Sequence, residues 1–257
     1  MRVISLGWGI QSFGLAAMSA LGILPKVEAA VHADTTHERS ETYAFAERWT
    51  PWLEEHGIKV VTVQSERSGV IQNWTATGLM IPAFTRYEDG EISGMLRRQC
   101  THDWKIVPIR RWLQQERNGE PVELWLGITL DEVQRMKPSN VQYISHIFSY
   151  IELLDRPWTR GMVVRWLQEN GLEIPVKSSC VFCPYHNRAT WREIKLSENG
   201  DWQKAVRIDH SIRYIRPGYL AYLVQARQPL DTVDLRNEED HGQLNLWDEE
   251  CEGVCFL

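Results

Sequence analysis

Short apolar runs alternate with longer amphipathic stretches along residues 1–63. Residues 3–6 form a compact apolar run closed by a glycine-bearing turn, and residues 11–21 follow at helical spacing with small side chains that permit close packing. Residues 27–33 read as a second strand, 38–56 as a long helix and 58–63 as a third strand. Strands separated by helices at this spacing predict parallel pairing with helices on the sheet faces. The expected fold class is α/β, a doubly wound, mostly parallel sheet.

The pattern breaks over residues 64–99, a stretch punctuated by Gly and Pro without clear periodicity. A long loop of this kind in a compact enzyme is expected to face a substrate. Helical spacing returns at about 103–117, and residues 122–128 and 142–151 read as fourth and fifth strands. Beyond Arg156 the chain is helical and loop-rich, with a turn at Cys180 to Cys183, a helix over 187–195, and a tail holding Cys251 and Cys255. This divides the chain into an α/β domain over 1–155, interrupted at 64–99, and a helical, cysteine-bearing subdomain over 156–257.

Composition narrows the class without changing that outline. Apolar residues make up 43% and charged residues 24%, as in ordinary globular proteins. No stretch approaches the roughly 18 apolar residues of a membrane span. Met1-Arg2 runs straight into the first apolar run without an export signal, so a reducing cytoplasm is expected. In that setting the five cysteines point to metal binding or chemistry rather than to disulfides. The net charge of -6 argues against a free-standing nucleic-acid binder, while leaving room for a local basic pocket. Twelve tryptophans read as large core and interface anchors.

Candidate chemistry gathers where strands end. Ser5-Leu6-Gly7-Trp8-Gly9-Ile10-Gln11-Ser12 leaves the first strand and opens the first helix. Its glycines allow tight turning and close approach, the helix start offers N–H groups to an anion, and Ser5 and Ser12 add hydroxyls. An ordinary strand–helix turn is the alternative. Asp34-Thr35 lies at the carboxyl end of the second strand, where open α/β sheets bind ligands; a helix cap with Glu38 in the first turn is the alternative there. Asp131-Glu132 and Arg135, Lys137 follow the fourth strand, either as a ligand-facing shelf or as a solvated helix start. Arg97, Arg98 and Lys105 surround Cys100, where they can bind an anion or lower the thiol pKa.

Taken in order, these segments resemble the phosphoadenosine-phosphosulfate-reductase-like proteins of the adenine nucleotide α-hydrolase (PP-loop) superfamily. The resemblance runs from the 5–12 loop through Ala33-Asp34-Thr35, Arg98-Gln99-Cys100-Thr101 with Lys105 and Pro108, and Asp131-Glu132 to Lys137. It ends with Cys180-Val181-Phe182-Cys183-Pro184, Trp191 and the Cys251/Cys255 tail. It implies a Rossmann-like sheet that binds ATP, or an adenylyl sulfate nucleotide, with phosphates over the first loop. Ser5, Gly7, Gly9, Gln11, Ser12, Asp34, Thr35, Arg98 and Lys105 are then the expected nucleotide-binding residues, and Asp131, Arg135 and Lys137 the expected catalytic shelf. Gln11 stands where the better-known ATP-pyrophosphatase loop has aspartate, so either Asp34, Asp131 or Glu132 holds the Mg²⁺ or the protein does not cleave ATP.

Cys180-x-x-Cys183 is the most metal-like spacing, and two thiolates in one tight turn need two further ligands. The expected site is a [4Fe–4S] cluster on Cys100, Cys180, Cys183 and Cys255, with Zn²⁺, or reduced thiols that hold no metal, as the alternatives. Glu250-Cys251 resembles the reductases' catalytic tail and makes Cys251 the candidate nucleophile. The resemblance implies ATP-dependent sulfur transfer to an acceptor, nucleic acid above all, as in DNA phosphorothioation or tRNA thiolation. A cysteine desulfurase is the expected sulfur donor, with acceptor recognition shared by a partner subunit. The alternatives are a phosphoadenylyl- or adenylyl-sulfate reductase, and a non-catalytic nucleotide-binding subunit.

Overall fold

The computed structural model describes residues 1–72, 78–214 and 217–236. In chain order the elements are β1 (Arg2–Ser5), α1 (Ile10–Ala20), β2 (Ala29–Ala33), α2 (Ser40–Glu55), β3 (Lys59–Val63), β4 (Phe84–Tyr87) and β5 (Ile92–Met95). They continue with α3 (Val107–Glu116), β6 (Val122–Trp125), β7 (Ile144–Ile147), α4 (Ser149–Glu152), α5 (Arg160–Glu169), α6 (Arg188–Leu196), α7 (Asp201–Ser211) and β8 (Tyr219–Tyr222). Two compact units result: Met1–Glu66 with Trp104–Ser178, and Arg67–Asp103 with the described residues after Ser178. The sequence-drawn boundary near residue 155 falls inside the first unit, between α4 and α5.

The first unit is an α/β layer structure. Its five strands lie in the order β3-β2-β1-β6-β7, every pair parallel. Ile4 pairs with Ala30 on one side and Trp125 on the other, while Val3 pairs with Ala29 and Leu124. Because side chains alternate along a strand, this register sorts the apolar residues onto two faces. Ile4, Ala30 and Trp125 join Phe13, Phe45, Leu53, Tyr150 and Val163 in one core; Val3, Val31 and Leu124 join Ile109 and Leu113 in the other. All five residues of β2 are buried, as a central parallel strand covered on both faces requires.

Local chemistry ends and joins these elements. After α2 the Gly57 N–H reaches the Glu54 carbonyl and the Ile58 N–H reaches that of Leu53, with Gly57 at φ 75°. This is a Schellman turn, and the fully buried Leu53 and Ile58 are the apolar pair that accompanies it. Gly14 sits inside α1 despite glycine's helix cost because α5 and α4 press on it. A Cβ there would lie 2.7 Å from Val163 Cγ1 and 2.8 Å from the Tyr150 hydroxyl.

Several expected elements differ in detail. The 103–117 helix is a π-type turn (Thr101–Ile106) running into α3, with Pro108 in the first positions of α3. The expected fifth strand over 142–151 is β7 plus the short α4. The helix start expected after the fourth strand is a 3₁₀ segment, Leu130–Arg135, kinked at Glu132.

The 64–99 stretch, read as a loop without periodicity, contains an antiparallel hairpin. β4 and β5 are joined through Asp89-Gly90, where Gly90 takes φ 100° and the Asp89 carboxylate accepts the Glu91 N–H. The strands are only four residues each, too short to show alternation, and β4 finds its second neighbour, β8, more than 130 positions away. The resulting sheet, β5-β4-β8, belongs to the second unit with α6 and α7. The buried Asp209 of α7 ties that unit together by accepting the Leu223 and Leu230 N–H groups and pairing with Arg213. No helix among the described residues is long and apolar enough to cross a membrane.

Candidate functional site

The strand order reverses between β1 and β6: the chain leaves β1 towards β2 and β3, then returns to the opposite side of β1 for β6 and β7. The carboxyl edge at such a reversal is where open α/β sheets bind ligands. The turn from β1 into α1 occupies that edge. Trp8 takes the left-handed conformation, φ 58°, which a non-glycine residue adopts only when its surroundings enforce it. Here the indole is buried, edge-on to His32 at 6.5 Å and to Phe45 at 6.3 Å between ring centroids, so core packing sets the backbone of the loop.

Hydrogen bonds close the same turn. The Gly7 N–H donates to Ser12 Oγ at 3.1 Å, and that hydroxyl donates to the Gly9 carbonyl at 3.2 Å. The Ser178 hydroxyl donates to the Gly7 carbonyl. Gly9 caps α1 with extended backbone and no side-chain cap, which leaves the positive helix start without a side-chain acceptor of its own. Gly127, beyond β6, lies against this start: a Cβ there would stand 3.0 Å from Gln11 C and Ser12 N. Tyr150 anchors the other side by donating its hydroxyl to the Gln11 carbonyl at 2.7 Å.

At the end of β2, Asp34 is fully engaged. Oδ1 accepts the Thr36 N–H and the Tyr43 hydroxyl, both at 2.7 Å, and Oδ2 accepts Gln64 Nε2 at 2.6 Å. Partial burial works to raise its pKa, but the three hydrogen bonds outweigh it and hold the carboxyl below its ordinary value. Burial, with the Asp34 hydrogen bond next, pushes the Tyr43 phenol up, so it stays a donor. The Thr35 hydroxyl donates to Glu38 Oε1, which also accepts Lys105 Nζ at 3.0 Å. Lys105 therefore reaches a buried carboxylate.

The corner after β6 is likewise committed. Asp131 Oδ2 accepts the Arg160 N–H at 2.5 Å, at the first residue of α5, and the Thr129 hydroxyl at 3.4 Å. Glu132 accepts Gln11 Nε2 at 3.0 Å on one oxygen and Arg135 Nη1 at 2.7 Å on the other. Lys137 is exposed, and its carbonyl faces His146 Nδ1 at 2.9 Å. The shelf thus joins the turn between β1 and α1 through Gln11–Glu132. Asp34, Asp131 and Glu132 do not fit a preformed Mg²⁺ site, since their oxygens serve the protein's own donors and no metal-holding group of three His, Cys, Asp or Glu exists among the described residues.

Arg98, Cys100, Cys180 and Cys183 all lie in the second unit. The Arg98 guanidinium sits over the Tyr185 ring, 5.5 Å from its centroid. The three described cysteines form no disulfide and are of intermediate burial. The Cys183 N–H donates to the Cys180 carbonyl at 3.0 Å, and His186 Nε2 lies 2.9 Å from the same oxygen. Cys100, Cys180 and Cys183 do not stand together as a metal-holding group, so the expected cluster does not fit the described thiols as they are placed. Cys251 and Cys255 lie outside the described residues.

The sequence reading missed Ser178, Tyr43 and Gln64, which complete the loop and the Asp34 corner. It also missed His32, buried and facing the Leu6 carbonyl through Nδ1 at 3.0 Å. His32 stood out as a polar residue within the apolar run 27–33; nothing local marked the other three.

No family model matches the chain, and no curated protein matches it. Among solved structures, it is similar to phosphoadenylyl-sulfate (PAPS) reductase from Candida auris, in a phosphate complex. The identity is 14%, the TM-score 0.44, and the match covers 68% of this chain and 74% of that one.

Proposed function

We propose that this chain is an adenine-nucleotide-dependent sulfur-transfer enzyme whose first unit binds the nucleotide phosphates over the loop of residues 5–12. The observation that carries the reading is the uncapped start of α1, entered through a glycine-flanked turn at the point where the strand order reverses. In this reading an acceptor oxygen attacks the α-phosphorus of ATP and pyrophosphate leaves; the terminal sulfur of a cysteine persulfide then displaces AMP from the activated acceptor, and a second thiol reduces the resulting disulfide to release the thiolated product. The acceptor is a nucleic acid, presented by a partner subunit because the net charge is -6, and the sulfur comes from a cysteine desulfurase in the cytoplasm. An Fe–S or zinc site would draw on Cys100, Cys180, Cys183 and Cys255, but no step is assigned to it, because the described thiols do not form a ligand set.

One observation favours a second reading, an adenylyl-sulfate reductase that uses Cys251 and does not cleave ATP. Gln11 and Glu132 satisfy each other where a carboxylate pair would otherwise serve a metal.

Titration calorimetry with ATP, ADP and adenylyl sulfate tests nucleotide binding directly. Gly127→Ala, which presses a methyl onto Gln11 and Ser12, is expected to weaken binding at least roughly tenfold, the cost of about 1.4 kcal/mol of misfit. Equal affinity in that variant, or no nucleotide binding by the parent protein, would sink the proposal. Pyrophosphate release with an acceptor supports sulfur transfer; sulfite release from adenylyl sulfate with thioredoxin supports the reductase.

A further inference from the structure

A cleft of about 260 Å³ opens on the face of the first unit covered by α2, with Trp8, His32, Asp34, Thr42, Tyr43 and Glu47 in its lining. The phosphate-loop reading leaves it without a role. No lysine or arginine lines it, whereas two carboxylates do, so it is chemically unsuited to a phosphate.

Its remaining polar groups also look for a donor. A carbonyl only accepts hydrogen bonds, so His32, 3.0 Å from the Leu6 carbonyl, carries its proton on Nδ1 and keeps Nε2 as an acceptor. His32 is 6% exposed and lines the cleft. Thr42 Oγ1 is buried without a partner, although buried hydroxyls ordinarily have one. The Tyr43 proton is already given to Asp34. A metal ion is disfavoured because no group of three ligating side chains is placed to hold one among the described residues. What fits is a group rich in N–H donors, positively charged, and small.

We propose that this cleft binds a small organic cation, an alkylammonium of a few carbons. Its ammonium donates to His32 Nε2 and to the Glu47 carboxylate at the cleft's edge, and its alkyl part lies against Trp8 and Ala46. The volume falls just under the roughly 300 Å³ of the smallest drug-type pockets, which limits the occupant to a few carbons. The inference is independent of whether a nucleotide occupies the phosphate loop.

Calorimetric titration of the full chain with n-butylammonium chloride, against 1-butanol as the uncharged counterpart, tests it. The ammonium is expected to bind, with the alcohol weaker by at least about tenfold, as for loss of a charged hydrogen bond. Glu47→Gln, at an exposed position on α2 where folding is not at risk, is expected to weaken the ammonium by roughly tenfold, and Thr42→Val to weaken it less. Equal binding of alcohol and ammonium, no binding of either, or an unchanged Glu47→Gln affinity overturns the proposal. Displacement of the ammonium by adenosine also overturns it, because the cleft would then belong to the nucleotide's base.

Discussion

At the corner after β1 the backbone carries the polar groups, whereas at the corner after β6 side chains carry them. The first is shaped by a buried indole, a left-handed Trp8 and an uncapped helix start. The second carries more charge, yet its charges are consumed: Asp131 holds the start of α5, and Glu132 is shared between Gln11 and Arg135. A carboxylate near a sheet edge is thus a poor indicator of a ligand site when a helix start or an amide stands within reach. The helix start after β1, by contrast, carries no side-chain cap that would consume its N–H groups.

That contrast can be broken or sharpened at three points. The largest effect is expected for Trp8→Ala, because it empties a buried indole site and frees the turn. A loss of about 3–5 kcal/mol in urea unfolding is expected, together with weaker nucleotide binding. A loss below about 1 kcal/mol would mean that packing does not set the loop. Asp131→Ala comes next. As a structural anchor of α5 it should cost about 0.5–2 kcal/mol and leave nucleotide affinity unchanged. Normal stability with abolished binding would return the β6 corner to the ligand.

The smallest effect concerns His32, which burial holds below the ordinary histidine value of 6.5, with weaker opposition from Glu38 and the Leu6 carbonyl. The unfolded chain therefore takes up a proton more readily than the folded one. This contribution is complete above pH 6.5 and is lost as pH falls from there towards the folded pKa. Urea midpoints between pH 5 and 8 should fall on the acid side in the parent protein and flatten in His32→Gln. Asp34, also depressed, contributes its full stability above its ordinary value of 3.8 and loses it only as pH falls below that, outside that window. Parallel curves for the two proteins would show that His32 is not buried as a neutral ring.

Much of the first unit was legible from local pattern. Residues 3–6, 27–33 and 58–63 are near-continuous apolar runs because parallel strands are covered on both faces, and such runs survive without knowledge of partners. The second unit was not, since β4 and β5 are four residues long and acquire meaning only beside β8. For the site, the turn glycines and the helix start were visible as a motif. The closing contacts from Ser178, Tyr150 and Gly127 were not, because each reaches the loop from more than 100 positions away.

The sequence by itself therefore determined what periodicity and turn chemistry encode: a parallel α/β core, its strand ends, and a glycine-flanked helix start able to meet an anion. Only the tertiary structure decided which polar side chains were still free to act there. Asp34, Asp131, Glu132 and Lys105 carry the same charges in either description, but their hydrogen bonds are made with residues brought close by the fold. Charge is a property of a residue, whereas availability depends on every donor within about 3 Å, and that neighbourhood exists only after the chain has closed on itself.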